Sequence, residues 1–323
     1  MANELAIEAC RLEKSYGELK VLADVDIQVP RGSVFALLGP NGSGKTTTVR
    51  ILATLTRFDA GRARVAGYDI VRERRQVRRS ISLTGQYAAI DQIQTGAENL
   101  RMMGRLCGLS RAQARQRAEQ LLERFDLVEA GGRRLATYSG GMRRRLDLAA
   151  SLVGQPSVVF LDEPTTGLDP RSRQALWGVI ADLAKAGLTV FLTTQYLEEA
   201  DRLADRVAIL NGGGIVAEGT PRELKQQIAG QRLDLELADA MAFGEVLRAL
   251  GDRVVESDSG LLTLGVPTDG SAAQVRALLD EIDPARCLVT KFTVHSATLD
   301  DVFMALTGRL VDHPEDEKES VGV

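Results

Sequence analysis

Histidine is almost missing from this chain of 323 residues: only His295 and His313 occur, both near the C-terminus. A histidine general base in the N-terminal two thirds is thereby excluded, and proton transfer there falls to other side chains. Cysteine is nearly as scarce. Cys10, Cys107 and Cys287 lie far apart and are unpaired in spacing, which fits a reduced cytoplasm with all three thiols as core filler. No run of eighteen apolar residues exists, so no membrane span is expected. The opening Met1-Ala2-Asn3-Glu4 has neither the basic nor the apolar part of an export signal. Net charge is −4, which offers no basic field for nucleic acid, and none is expected as a partner. What is present is ordinary for a globular protein, 44% hydrophobic and 26% charged residues, in a chain long enough for two or three domains.

Short, continuous apolar runs mark strands buried on both faces: Ser33 to Leu38, Ser80 to Thr84, Val158 to Leu161 and Thr189 to Thr194. Helical stretches lie between them, so the expected fold is α/β, with a mainly parallel core sheet. The β-rich residues 4–38 form a further β region, and residues from about 92 to 152 lack strand signals and read as a helical insert. After Gly219-Thr220-Pro221 the pattern becomes βαββαβ and a final helix: strands at 232–237, 253–257, 261–266 and 286–294, helices at 239–250, 271–282 and 298–307. That order suggests a small ferredoxin-like α+β domain. The expected organisation is a domain over 1–225, a second over 231–309, and a disordered acidic tail over 310–323.

Gly39-Pro40-Asn41-Gly42-Ser43-Gly44-Lys45-Thr46 fits the phosphate-loop pattern directly after a buried strand and opening a helix. The glycines let the backbone wrap a β-phosphate, Lys45 neutralises β/γ oxygens, and Thr46 offers a hydroxyl to Mg²⁺. Asp162 and Glu163 end the strand that begins at Val158. Successive side chains on an extended backbone point opposite ways, so Asp162 can face a metal while Glu163 faces an attacking water as general base. Gln86 and Gln195 each follow a buried strand, at the carboxyl rim where open α/β sheets bind ligands. Tyr138-Ser139-Gly140-Gly141-Met142 opens a helix and supplies a second anion site, separate from the phosphate loop. Tyr16, in the turn Ser15-Tyr16-Gly17, could stack on adenine or pack as an ordinary half-buried ring. Arg143, Arg144 and Arg145 read either as a solvated basic face or as phosphate ligands.

Together these positions resemble the nucleotide-binding subunit of an ABC transporter, over residues 4–220. The match runs through Tyr16, the loop from Gly39 to Thr47, Gln86, the signature turn with Ser139, Gly140 and Gly141, the strand ending in Asp162-Glu163, and Gly167-Leu168-Asp169. The resemblance implies ATP and Mg²⁺ as cofactors. It makes Lys45, Gln86, Glu163 and Gln195 catalytic, and Thr46, Gln86 and Asp162 metal-binding. The nucleotide would be held by Tyr16, the loop residues 39–47, Ser139, Gly140, Gly141 and Asp169. It also implies a head-to-tail pair with a second copy, in which one copy's signature turn meets the other's nucleotide. Two departures are visible: Gln195 stands where a switch histidine is usual, and Met142 where glutamine is commoner. Glutamine can hydrogen-bond a γ-phosphate but does not titrate near neutrality. Both features, with the Leu299 to Gly308 ending, are similar to the daunorubicin/doxorubicin-resistance ATPase group of bacterial exporters. That implies a peripheral protein on the cytoplasmic side of the cell membrane, an integral membrane permease partner, and a hydrophobic drug carried through that permease. Rival readings are lipid or other small-molecule transport, a soluble ABC ATPase acting on DNA or ribosomes, or a phosphate-loop kinase. The segment between Lys45 and Ser139 is too short for the long coiled coil of DNA-repair members, only one cassette is present, and a kinase has no use for the signature turn.

Overall fold

The computed structural model describes residues 4–85, 90–228, 231–295 and 298–308. It divides into two compact units, Met1–Pro221 and Arg222–Val323, each taken by itself below.

The first unit opens with a long hairpin, β1 (Leu5–Tyr16) and β2 (Leu19–Pro30), followed by β3 (Val34–Leu38), α1 (Lys45–Leu52), β4 (Ala60–Val65) and β5 (Tyr68–Asp69). Next come α2 (Arg74–Ser80), β6 (Ile81–Thr84), α3 (Gly96–Leu106), α4 (Arg111–Arg124) and α5 (Gly140–Ser151). The rest is β7 (Val158–Asp162), α6 (Pro170–Lys185), β8 (Thr189–Thr194), α7 (Leu197–Leu203), β9 (Arg206–Asn211) and β10 (Gly214–Gly219). An antiparallel sheet runs β2-β1-β4-β5, and a six-stranded sheet runs β10-β9-β3-β8-β7-β6, with only β10 antiparallel to its neighbour. Every residue of β3, β7 and β8 is buried, as parallel strands covered on both faces require.

Phe35, Phe191 and Phe160 are register partners across β3, β8 and β7. Their rings lie 5.3 and 5.6 Å apart, a ladder in which each aromatic pair adds about 0.5–1.5 kcal/mol beyond burial. It fixes the relative height of the three strands whose ends carry the site. Between β6 and β7 lie α3, α4 and α5. Capping boxes start α3 at Thr95/Glu98 and α4 at Ser110/Gln113, and the two helices approach closely enough that a Cβ on Gly104 would lie 2.8 Å from Ala114 Cβ.

The second unit holds most of α8 (Pro221–Ile228), then β11 (Gln231–Leu237), α9 (Ala240–Leu250), β12 (Glu256–Asp258), β13 (Thr263–Thr268), α10 (Ala272–Ile282), β14 (Val289–His295) and α11 (Leu299–Thr307). Its antiparallel sheet runs β12-β13-β11-β14, the order of a ferredoxin-like sheet. Leu233, Leu235 and Leu237, alternating along β11, meet Leu264 and Val266 and the inner faces of α9 and α10. Two strands begin three residues later than the sequence pattern suggests. A 3-10 turn over Gly251–Arg253 delays β12, and the Asp283 carboxylate delays β14 by accepting the amides of Cys287, Leu288 and Val289.

The expectation of three core-filling cysteines is corrected. Cys107 and Cys287 are exposed and Cys10 is half-buried. Cys107 caps the end of α3 and Cys287 lies in the loop drawn around Asp283, so both sit where chain reversal puts side chains at the surface. Among the described residues no helix is long and apolar enough to cross a membrane. The expected tail lies outside the described residues.

Candidate functional site

The phosphate loop is held by packing at its ends and left open at its middle. A Cβ at Gly39 would strike the Leu210 carbonyl, and Gly44, at φ 109°, would place one 2.7 Å from Leu22 Cδ2. Both glycines are demanded by the fold alone. Gly42, at φ 81°, faces open space, so its side is the one a ligand can approach. Lys45 is buried, and its ammonium donates to the carbonyls of Gly39 at 2.8 Å and Pro40 at 3.1 Å. It lies 3.7 Å from Glu163 Oε1. Burial lowers the Lys45 pKa, against the opposing pull of Glu163 and Asp162. Ser43 Oγ is buried without a hydrogen-bond partner, a donor aimed into the loop. Asn41 and Thr46 are exposed at the surface of the loop, with Pro40 and Thr47 half-buried.

The carboxylates come from the end of β7. Asp162 Oδ1 accepts from Thr46 Oγ1 at 3.2 Å and from Thr193 Oγ1 at 2.6 Å. These oxygens, an aliphatic hydroxyl and a carboxylate side by side, are the hard donors that Mg²⁺ takes, so the chain's residues fit that ion. The separation of Asp162 from Glu163 has a different cause from the expected one. Strand alternation does not reach Glu163, because the strand stops at Asp162 and Glu163 turns into the left-handed region at φ 49°. That conformation costs a non-glycine residue on the order of 1–3 kcal/mol. It is held by the Glu163 amide donating to Thr193 O at 3.1 Å and Thr193 Oγ1 at 3.2 Å. Thr166 Oγ1 reaches Glu163 Oε2 at 3.4 Å.

The second anion feature is Ser139, the N-cap of α5, whose hydroxyl accepts the Met142 amide at 3.3 Å. The two glycines after it differ. A Cβ on Gly141 would strike Ser172 Oγ, so helix packing by itself demands a glycine there. Gly140 has only Leu168 within reach of an added Cβ, at 3.9 Å, and is exposed. Asp169 caps α6, accepting Ser172 N at 2.9 Å and Ser172 Oγ at 2.6 Å. Those Ser172 bonds lower its pKa and hold the hydroxyl beneath Gly141. Gln195 follows β8 half-buried. Gln86 lies outside the described residues. Tyr16 ends β1 and is 51% exposed, with Lys14 Nζ 5.1 Å from its ring centre.

Two residues escaped the sequence reading. Thr193 is one; the pair Thr193-Thr194 closing an apolar strand was its only signal. Arg144 is the other. Neither a solvated face nor a phosphate ligand describes it: it is largely buried and donates to the carbonyls of Gly85, Asp162, Glu163 and Pro164. Its neighbours in a run of three arginines hid it.

A phosphate loop meeting the carboxylates that end β7, with a second glycine turn capping another helix, defines an ATP-binding cassette of the ABC class. The chain matches the ABC transporter family over residues 22–166 and the ATP-binding protein DrrA1-3-like C-terminal domain over residues 219–307. It is 49% identical over 318 residues to the daunorubicin/doxorubicin resistance ATP-binding protein DrrA of Streptomyces peucetius, covering 98% of this chain and 95% of that one. It is also 49% identical to the doxorubicin resistance ATP-binding protein DrrA of Mycobacterium tuberculosis, over 94% of each chain. A solved ATP binding subunit of an ABC transporter superimposes with a TM-score of 0.61 at 30% identity, over 69% of this chain and 92% of that one. The chain belongs to the DrrA family of ABC transporter ATP-binding proteins, and is an ATPase.

Proposed function

We propose that this chain is the ATP-hydrolysing subunit of an exporter that moves a hydrophobic, anthracycline-like compound through a separate membrane subunit. The observation that carries the hydrolytic part is the meeting of loop and strand end, with Thr46 3.2 Å from Asp162 and Lys45 3.7 Å from Glu163. The names of the DrrA relatives support the cargo. In this reading the cassette occupies residues 1–225 and the smaller domain residues 231–309. The backbone from Gly39 to Thr47 wraps the phosphates, and Lys45 exchanges its loop carbonyls for phosphate oxygens. Tyr16 stacks on the base. Thr46 and Asp162, with Gln86, hold Mg²⁺, which supplies charge neutralisation for the phosphates when bound. Glu163 takes a proton from the attacking water as the bond from the terminal phosphorus to its bridging oxygen breaks, while Gln195 bonds the transferred phosphoryl oxygens. Ser139, Gly140, Gly141 and Asp169 serve the nucleotide of a second copy placed head to tail. The assembly sits on the cytoplasmic face of the cell membrane.

The test is ATP turnover by the chain reconstituted with its membrane subunit, with and without an anthracycline. Stimulation by the drug is expected, and its loss in Glu163→Gln, where general-base removal costs about 10²–10⁴-fold. Unstimulated but intact turnover would remove the cargo assignment and leave the hydrolytic one standing.

A further inference from the structure

We propose that Arg144 is a positioning residue for hydrolysis, joining the signature helix to the loop that carries Asp162 and Glu163 and to the end of β6. Nε donates to Pro164 O at 2.6 Å, Nη1 to Gly85 O at 3.0 Å, and Nη2 to Glu163 O at 3.1 Å and Asp162 O at 3.4 Å. Asp147, one turn along the same helix, lies 3.6 Å away and anchors the guanidinium to α5.

One side chain reaches all four carbonyls. The planar fork of arginine presents five N–H donors in fixed directions, and three successive carbonyls at the end of β7 plus one after β6 match it. Three of them flank or belong to Glu163, the residue held at φ 49°, so the fork closes a turn that the backbone alone disfavours. Arg144 also lies within the first turns of α5, whose N-cap is Ser139. A displacement of the signature turn is therefore transmitted to the carboxylate loop through one side chain.

This rests on the assignment of Glu163 as base, and a double-mutant cycle separates the two. Arg144→Lys keeps the charge and loses the fork; Arg144→Gln loses both. In each, kcat is expected to fall about 10²-fold, the scale for misplacing a catalytic group, while the ATP Kd stays within about twofold. In the Glu163→Gln background, single-turnover rates should show no further loss, because Arg144 acts through Glu163. An equal loss in both backgrounds, a Kd that weakens in step with kcat, or a variant that no longer folds would each overturn the role. If Glu163→Gln itself turns over at the wild-type rate, the base assignment fails, and Arg144 is then judged by its separation of kcat from Kd.

Discussion

Thr193 and Asp162 are register partners on adjacent parallel strands, and the Thr193 hydroxyl donates to the Asp162 carboxylate at 2.6 Å. The same threonine receives the Glu163 amide at both its carbonyl and its hydroxyl. One side chain thus orients the carboxylate assigned to the metal and steadies the turn of the one assigned to water. Thr193→Val keeps the shape and deletes the hydroxyl. Losing a partner of this kind costs about 10–100-fold in metal affinity. The Mg²⁺ concentration for half-maximal turnover, at fixed excess ATP, should rise by that factor, with a lower melting temperature because a buried hydrogen bond to a carboxylate is lost. An unshifted Mg²⁺ curve would show that Asp162 needs no orienting partner.

Tyr16 has little to do in the fold itself. Its ring is 51% exposed, and the nearby Lys14 is engaged by Asp59 at 2.8 Å. Stacking on a base is worth about 1–3 kcal/mol. Tyr16→Ala should therefore weaken ATP binding about 5- to 150-fold with kcat and melting temperature unchanged, and Tyr16→Phe should restore it. Equilibrium titration with ATP reads this directly. A loss of stability without a loss of affinity would make Tyr16 a packing residue.

Glu199 is fully buried and accepts from Trp177 Nε1 at 3.0 Å. Burial raises its pKa, only partly offset by the nearby Thr194 and Thr165 hydroxyls, the Trp177 hydrogen bond and the charge of Arg144. A carboxyl whose folded pKa lies above its unfolded value binds its proton more tightly in the native state. Stability from this group therefore falls as pH rises above the unfolded value, and the cost is complete above the folded pKa. Glu199→Gln retains an acceptor for Trp177 and removes the charge. The variant should match wild type in acid and melt progressively higher than it as pH rises. A difference that widens towards acid instead would contradict the sign of the shift.

Much of this was legible in the residues. The strands β3, β7 and β8 were readable because a parallel strand covered on both faces must be apolar throughout, and the phosphate loop was readable because it follows one of them. Other features are set by tertiary partners and leave no local trace. The left-handed turn at Glu163 depends on Thr193, thirty residues away. The burial of Arg144 depends on four carbonyls from two separate strand ends, so a triplet of arginines looked like a solvated face. The packing of Ser172 beneath Gly141 left no local trace because Ser172 belongs to another helix.

The central claim is that one copy's Ser139 turn completes the nucleotide site of another copy. The most direct measurement mixes two inactive chains, Lys45→Ala and Ser139→Arg, and records phosphate release. Head-to-tail pairing gives each mixed pair one intact site, built from the loop of the second chain and the turn of the first. Turnover should then appear on mixing, up to roughly a quarter of the wild-type rate if pairs form at random. A mixture as inactive as its components would contradict the account.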